Sequence, residues 1–88
     1  MAPELKLRYP FTKTDMIQTI VVDDEERSRR SLTNLLQKYC SDIEIIGEAD
    51  DIKGAVELIK KLNPQLLFLD IKLREGTSFE ILRQLSPH

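Results

Sequence analysis

Two rhythms of apolar residues alternate along this chain. Residues 17–22, Ile-Gln-Thr-Ile-Val-Val, are mostly β-branched and apolar and stop at Asp23-Asp24, residue types that strands avoid, so this run predicts a strand. Over residues 25–39 the apolar positions Leu32, Leu35, Leu36 and Tyr39 recur at i, i+3, i+4 and i+7, the stripe of a helix. Ile43-Glu44-Ile45-Ile46 predicts a second short strand, ended by Gly47. A second helix is expected over 52–62, where Ala55, Val56, Leu58, Ile59 and Leu62 are apolar and Asn63-Pro64 forms the stop. Leu66-Leu67-Phe68-Leu69 is apolar at every position and predicts a third strand ending at Asp70. Residues 71–76 read as a loop. Thr77, three residues before Glu80 and opening an apolar run, has the spacing of a capping box, so a third helix should carry Phe79, Ile81, Leu82 and Leu85 and close at Pro87.

The order is βαβαβα. Strands apolar on both faces, with helices between them, imply an α/β fold with a parallel sheet sandwiched by helices. Right-handed crossovers place helices on both sides when strand order reverses, which predicts the order 2-1-3. The third strand would then lie at the edge of the sheet with unpaired backbone groups, an arrangement that invites either more chain or a partner. Residues 1–15 hold Pro3 and Pro10 and no sustained periodicity, so they read as an irregular N-terminal extension to a domain over 16–88.

Composition narrows the class. The chain has 88 residues, enough for one small domain that buries roughly 60–65% of its unfolded surface. Hydrophobic residues at 41% and charged ones at 32% are an ordinary globular balance. Thirteen Lys and Arg against 15 Asp and Glu give net charge −2, which argues against binding nucleic acid or an anionic membrane. No apolar run approaches the roughly 20 residues of a bilayer span. The single cysteine, Cys40, cannot form an internal disulfide, and a cytoplasmic location is expected.

The candidate chemistry lies where strands end. Parallel α/β sheets bind ligands beyond the carboxyl ends of their strands, at the point where strand order reverses. Asp23 and Asp24 follow the first strand and Asp70 the third. Neighbouring strands are roughly 4.8 Å apart, so these carboxylates should converge. Two such charges about 5 Å apart repel by on the order of 3 kcal/mol at an effective dielectric near 20, a sizeable cost in a domain with some 5–15 kcal/mol of net stability. The usual occupant of such a site is a hard divalent cation, and Mg²⁺ fits one or two carboxylates plus a carbonyl, waters and phosphate oxygens. The blander alternative is helix capping, since Asp23 and Glu26 have capping-box spacing. Capping leaves Asp70 unexplained.

Thr19-Ile20-Val21-Val22-Asp23-Asp24-Glu25, Gly47-Glu48-Ala49 and Leu67-Phe68-Leu69-Asp70-Ile71-Lys72-Leu73 together resemble the receiver domain of two-component response regulators, in the variety attached to LytTR-type DNA-binding domains. The resemblance runs from about residue 17 to 85. It implies a flavodoxin-like sheet of which this chain holds three βα units. It further implies that Asp70 is the phosphoacceptor, charged by a sensor histidine kinase, and that Asp23, Asp24 and Asp70 hold Mg²⁺ with the backbone carbonyl of Lys72. The family has five strands, so a truncated receiver is expected here. The family's Ser or Thr after strand four and its Lys after strand five find no counterpart in this chain, and Ser86 and Lys72 lie in the wrong places to replace them. Arg74 and Ser78 stand where the family commonly carries a proline and a glycine.

Other residues take blander readings. Arg27, Arg29 and Arg30 are expected to form a solvated helix face, Cys40 to fill space at a helix end, and Asp50-Asp51 to cap the second helix. His88 is terminal and has no second histidine to share a metal. Two rival functions are a non-catalytic fragment whose third strand pairs with another copy or partner, giving a homodimer or a heteromeric contact, and a small metal-dependent phosphohydrolase. The latter lacks a visible general base near Asp70, so the chain is expected not to be an enzyme.

Overall fold

A computed structural model describes residues 16–73 and 76–86. The extension at 1–15, Arg74, Pro87 and His88 lie outside the described residues. Strands β1 (Ile17–Val22), β2 (Ile43–Ala49) and β3 (Leu66–Leu69) form one sheet in the order β2-β1-β3, with both pairings parallel. Helices α1 (Glu26–Tyr39), α2 (Ile52–Leu62) and α3 (Phe79–Leu85) connect and follow the strands. The α/β sheet with strand order 2-1-3 is as the apolar pattern implies.

Alternation along β1 splits the core. Ile20 and Val22 face a cluster with Ile52, Ala55, Val56, Ile59, Leu73 and Ile81, so α2 and α3 pack together on that side of the sheet. Thr19 and Val21, also wholly buried, point the other way, where α1 lies against β1 and β2 with Thr33 and Leu36 buried. The buried threonine hydroxyls are satisfied locally: Thr19 Oγ1 donates to the Ile17 carbonyl at 3.0 Å and Thr33 Oγ1 to the Arg30 carbonyl at 3.0 Å. At the sheet edge, all four residues of β3 are half-buried.

Four local expectations need correction. Strand β2 runs through Gly47 to Ala49. The register steps from Thr19 opposite Ile45 to Ile20 opposite Gly47, leaving Ile46 as a bulge. Gly47 is a site of close approach, because a Cβ there would lie 2.8 Å from Leu58 Cδ2 and 3.4 Å from Leu62 Cδ1. Along α1 the buried stripe turns on Thr33 and Leu36, while Leu35 and Tyr39 are exposed. The loop after β3 contains a small antiparallel hairpin, β4 (Lys72–Leu73) with β5 (Gly76–Thr77), anchored by buried Leu73. Thr77 therefore pairs with Lys72 instead of capping α3. Ser78 takes the N-cap position without a side-chain cap bond, and the Glu80 carboxylate turns forward to Arg83 and Gln84 instead of back to the cap.

The helix stops follow the sequence closely. Asp51 caps α2, its Oδ1 accepting from the Gly54 amide at 2.7 Å. Asn63 ends the same helix in the left-handed region at φ 50°, and its amide donates to the Ile59 carbonyl at 2.8 Å. Cys40, half-buried, closes α1, its amide donating to Leu36 at 2.8 Å.

Candidate functional site

The site is set by register. In the parallel ladder Val22 stands opposite Leu69, so the next residues on each strand, Asp23 and Asp70, leave the sheet side by side. The backbone continues the ladder one step further: the Asp70 amide donates to the Val22 carbonyl at 2.9 Å, and the Asp23 amide to the Ala49 carbonyl on β2 at 3.1 Å. Asp24, the next residue, lies in the loop between β1 and α1. One carboxylate oxygen from each of Asp23, Asp24 and Asp70 lies within 4.8 Å of the others; the two former side chains are half-buried and Asp70 is exposed. Three of the residues singled out from sequence are thus gathered in one notch at the carboxyl end of the sheet. The fourth, Lys72, lies two residues beyond Asp70 as the first residue of β4.

The loop from β1 to α1 is held at several points. Asp23 Oδ1 accepts from the Glu25 amide at 2.9 Å, a short side-chain turn that uses one oxygen of the carboxylate. Glu25 is the N-cap of α1 and makes no side-chain cap bond to the backbone, although its Oε1 accepts from Ser28 Oγ at 2.7 Å. Capping-box spacing from Asp23 to Glu26 is therefore not used. Asp23 has a local structural role, and no hydrogen bond of that kind is made by the Asp70 carboxylate among the described residues. That leaves the convergence of the carboxylates to be explained.

The donor set suits a hard cation. Only oxygen is offered, the donor type that Mg²⁺ prefers, and the three carboxylates together with a nearby backbone carbonyl could hold one such ion with waters completing its shell.

Arg29 was expected on a solvated face and is not there. Its side chain is 17% exposed, with Nη1 donating to the Asp23 carbonyl at 2.6 Å and Nε to Glu48 Oε1 at 3.1 Å. Arg27 and Arg30 are exposed as expected, Arg30 pairing with Glu26 one turn back. Helical side chains lean toward the N-terminus, which lets an arginine in the first turns of α1 reach the loop before it, but that lean is shared by Arg27 and Arg30 and does not single out Arg29.

Residues 19–88 match the response regulator receiver domain. The chain belongs to this family. Among curated relatives, it is 44% identical over 66 residues to the sensory transduction protein LytT of Bacillus anthracis, covering 75% of this chain and 26% of LytT. It is 39% identical over 72 residues to the transcriptional regulatory protein BtsR of Escherichia coli K12, covering 82% of this chain and 30% of BtsR. The receiver chain thus spans between a quarter and a third of the length of these relatives. Among solved structures, the signal receiver domain of NarL from Mycobacterium tuberculosis superposes with a TM-score of 0.70 at 27% identity, over 76% of this chain and 53% of that one. A two-component response regulator of the LuxR family from Aurantimonas sp. SI85-9A1 gives a TM-score of 0.73 at 21% identity, over 80% and 49%, and shares the fold. Among the described residues of this receiver, no helix is long and apolar enough to cross a membrane.

Proposed function

We propose that this receiver is the phosphoacceptor module of a two-component phosphorelay, with Asp70 taking a phosphoryl group from the phosphohistidine of a sensor histidine kinase. The observation that supports this most is the notch itself, three carboxylates within 4.8 Å at the carboxyl ends of adjacent parallel strands. Asp70 is the exposed member and can be approached by a donor. Its carboxylate oxygen attacks phosphorus; a P–O bond forms as the donor's P–N bond breaks, and the electron pair returns to the imidazole nitrogen. The chain needs no general base, because an ionised carboxylate has no proton to lose. Asp23, Asp24 and Asp70, with the Lys72 backbone carbonyl, would hold Mg²⁺, which when bound neutralises charge on the transferring group. What remains for the chain is positioning: the bond from the Asp70 amide to Val22 holds the acceptor's backbone against β1. The acyl phosphate carries roughly −1.5 to −2 charge and three acceptor oxygens where the carboxylate carried a single charge, a change at the mouth of the notch that biases the loops around it.

The names of the relatives, sensory transduction and transcriptional regulation, support an input role in signalling; we assign the domain to the cytoplasm, with a sensor kinase and not nucleic acid or membrane as its direct partner. Incubation with a small-molecule phosphodonor and Mg²⁺ should add one phosphoryl group by intact mass, and Asp70→Asn should prevent it. A chain that stays unmodified under those conditions would refute the assignment. The half-buried edge of β3, paired among the described residues only with β1, supports a second reading in which a strand from another copy or partner adds there. Light scattering after size exclusion tests it, and a concentration-independent monomer removes the homodimer.

A further inference from the structure

Arg29 ties three elements together at the edge of the acidic notch. Its backbone is fixed in α1, where the Arg29 amide donates to the Glu25 carbonyl at 3.0 Å. Its guanidinium spans from the Asp23 carbonyl, at 2.6 Å, to Glu48 Oε1 on β2, at 3.1 Å. Glu48 pairs with Val21 in the ladder, so the clamp joins the carboxyl end of β2 to the loop that leaves β1. The Asp23 carbonyl belongs to the peptide unit that links Asp23 to Asp24. Rotating that unit swings both residues, and with them both carboxylates. Like charges in the notch push this loop apart, while a short charge-assisted bond to a largely desolvated arginine resists the motion. Lysine could not do the same, since it carries its donors on a single atom whereas guanidinium presents separate donors in a rigid fork.

We propose that Arg29 is a positioning residue for the cation site, setting Mg²⁺ affinity by holding the Asp23–Asp24 peptide in one orientation. The proposal rests on the Mg²⁺ reading of the notch. The test uses the full 88-residue chain and its Arg29→Met, Arg29→Lys, Glu48→Ala and Arg30→Met variants, with Mg²⁺ alone as the probe. Amide exchange of Asp23 and Glu25 is measured without metal, and the Mg²⁺ dissociation constant by NMR titration. Arg29→Met should speed exchange at both amides and raise the dissociation constant about tenfold, the low end of the usual loss when a group that orients a metal ligand is removed. Arg29→Lys should recover only part of this, and Arg30→Met, whose partner is Glu26, should change neither quantity. A folded Arg29→Met chain that binds Mg²⁺ as tightly as wild type overturns the proposal, even if its melting temperature falls, because the residue is then merely structural. Should Arg29→Met fail to fold, Glu48→Ala decides: a raised dissociation constant supports the clamp and an unchanged one overturns it. A wild-type chain without saturable Mg²⁺ binding refutes the functional reading instead, and exchange at Asp23 and Glu25 then decides whether Arg29 holds the loop.

Discussion

Replacing Asp70 by asparagine should make the metal-free chain more stable, an uncommon result for a point substitution. The Asp70 carboxylate lies within 4.8 Å of both the Asp23 and Asp24 carboxylates. Because Asp70 is exposed, a water-like dielectric applies, and each pair then repels by about 0.9 kcal/mol, or about 1.7 kcal/mol for the two. A Debye length of about 8 Å at physiological ionic strength trims this to about 1 kcal/mol. In a domain of this size, about 1 kcal/mol moves the melting temperature by roughly 4–8 °C. The backbone bond from the Asp70 amide to Val22 does not involve the side chain, and asparagine keeps its shape, so little is lost in exchange. The assay is thermal unfolding followed by circular dichroism in EDTA and in Mg²⁺, at low and high salt. Asp70→Asn should melt higher than wild type in EDTA, by a margin that shrinks as salt rises. Mg²⁺ should stabilise wild type more than the variant, because the ion has lost one anionic ligand. A variant that melts at or below wild type in low-salt EDTA would show that the notch carries no net repulsion, and the argument from crowded charge would fail.

Further outcomes follow from the same packing. Asp51→Ala removes the acceptor for the Gly54 amide and should cost about 1 kcal/mol in urea unfolding without altering phosphorylation. Gly47→Val places a branched side chain where even a Cβ would come within 2.8 Å of Leu58, and should destabilise by about 1–3 kcal/mol in the same measurement. The Glu80 carboxyl sits below the usual carboxylate range because Arg83, then Gln84, hydrogen-bond to its ionised form. A lowered folded value means its contribution is present at neutral pH and is lost as the medium is acidified down through the carboxylate range. Glu80→Gln should therefore weaken wild type's acid sensitivity in α3, read from helix amide shifts across an acid titration, with little difference in the shape of the two curves above neutrality.

Local patterning carried the sheet. β1 is marked by its β-branched run, α2 by its 3.6-residue period, and β3 by being too short between Pro64 and Asp70 for a helix, while the capping of α2 by Asp51 and its stop at Asn63 depend on neighbours only a few positions away. The order 2-1-3 follows because parallel strands joined by right-handed helices have few other arrangements. The acidic notch could be foreseen for the same reason, as the residues after two adjacent parallel strands have nowhere else to go. What tertiary structure alone decided were matters of who is nearest across the fold. Gly47 looks like a strand stop until Leu58 and Leu62 press against it, Thr77 looks like a cap until the hairpin claims it, and Leu35 and Tyr39 look like core until the burial of α1 turns on Thr33 and Leu36. Arg29 is the clearest case. Nothing in the spacing of charges along α1 separates it from Arg27 and Arg30, because its two acceptors, the Asp23 carbonyl and the Glu48 carboxylate, are brought together only when β2 settles beside β1.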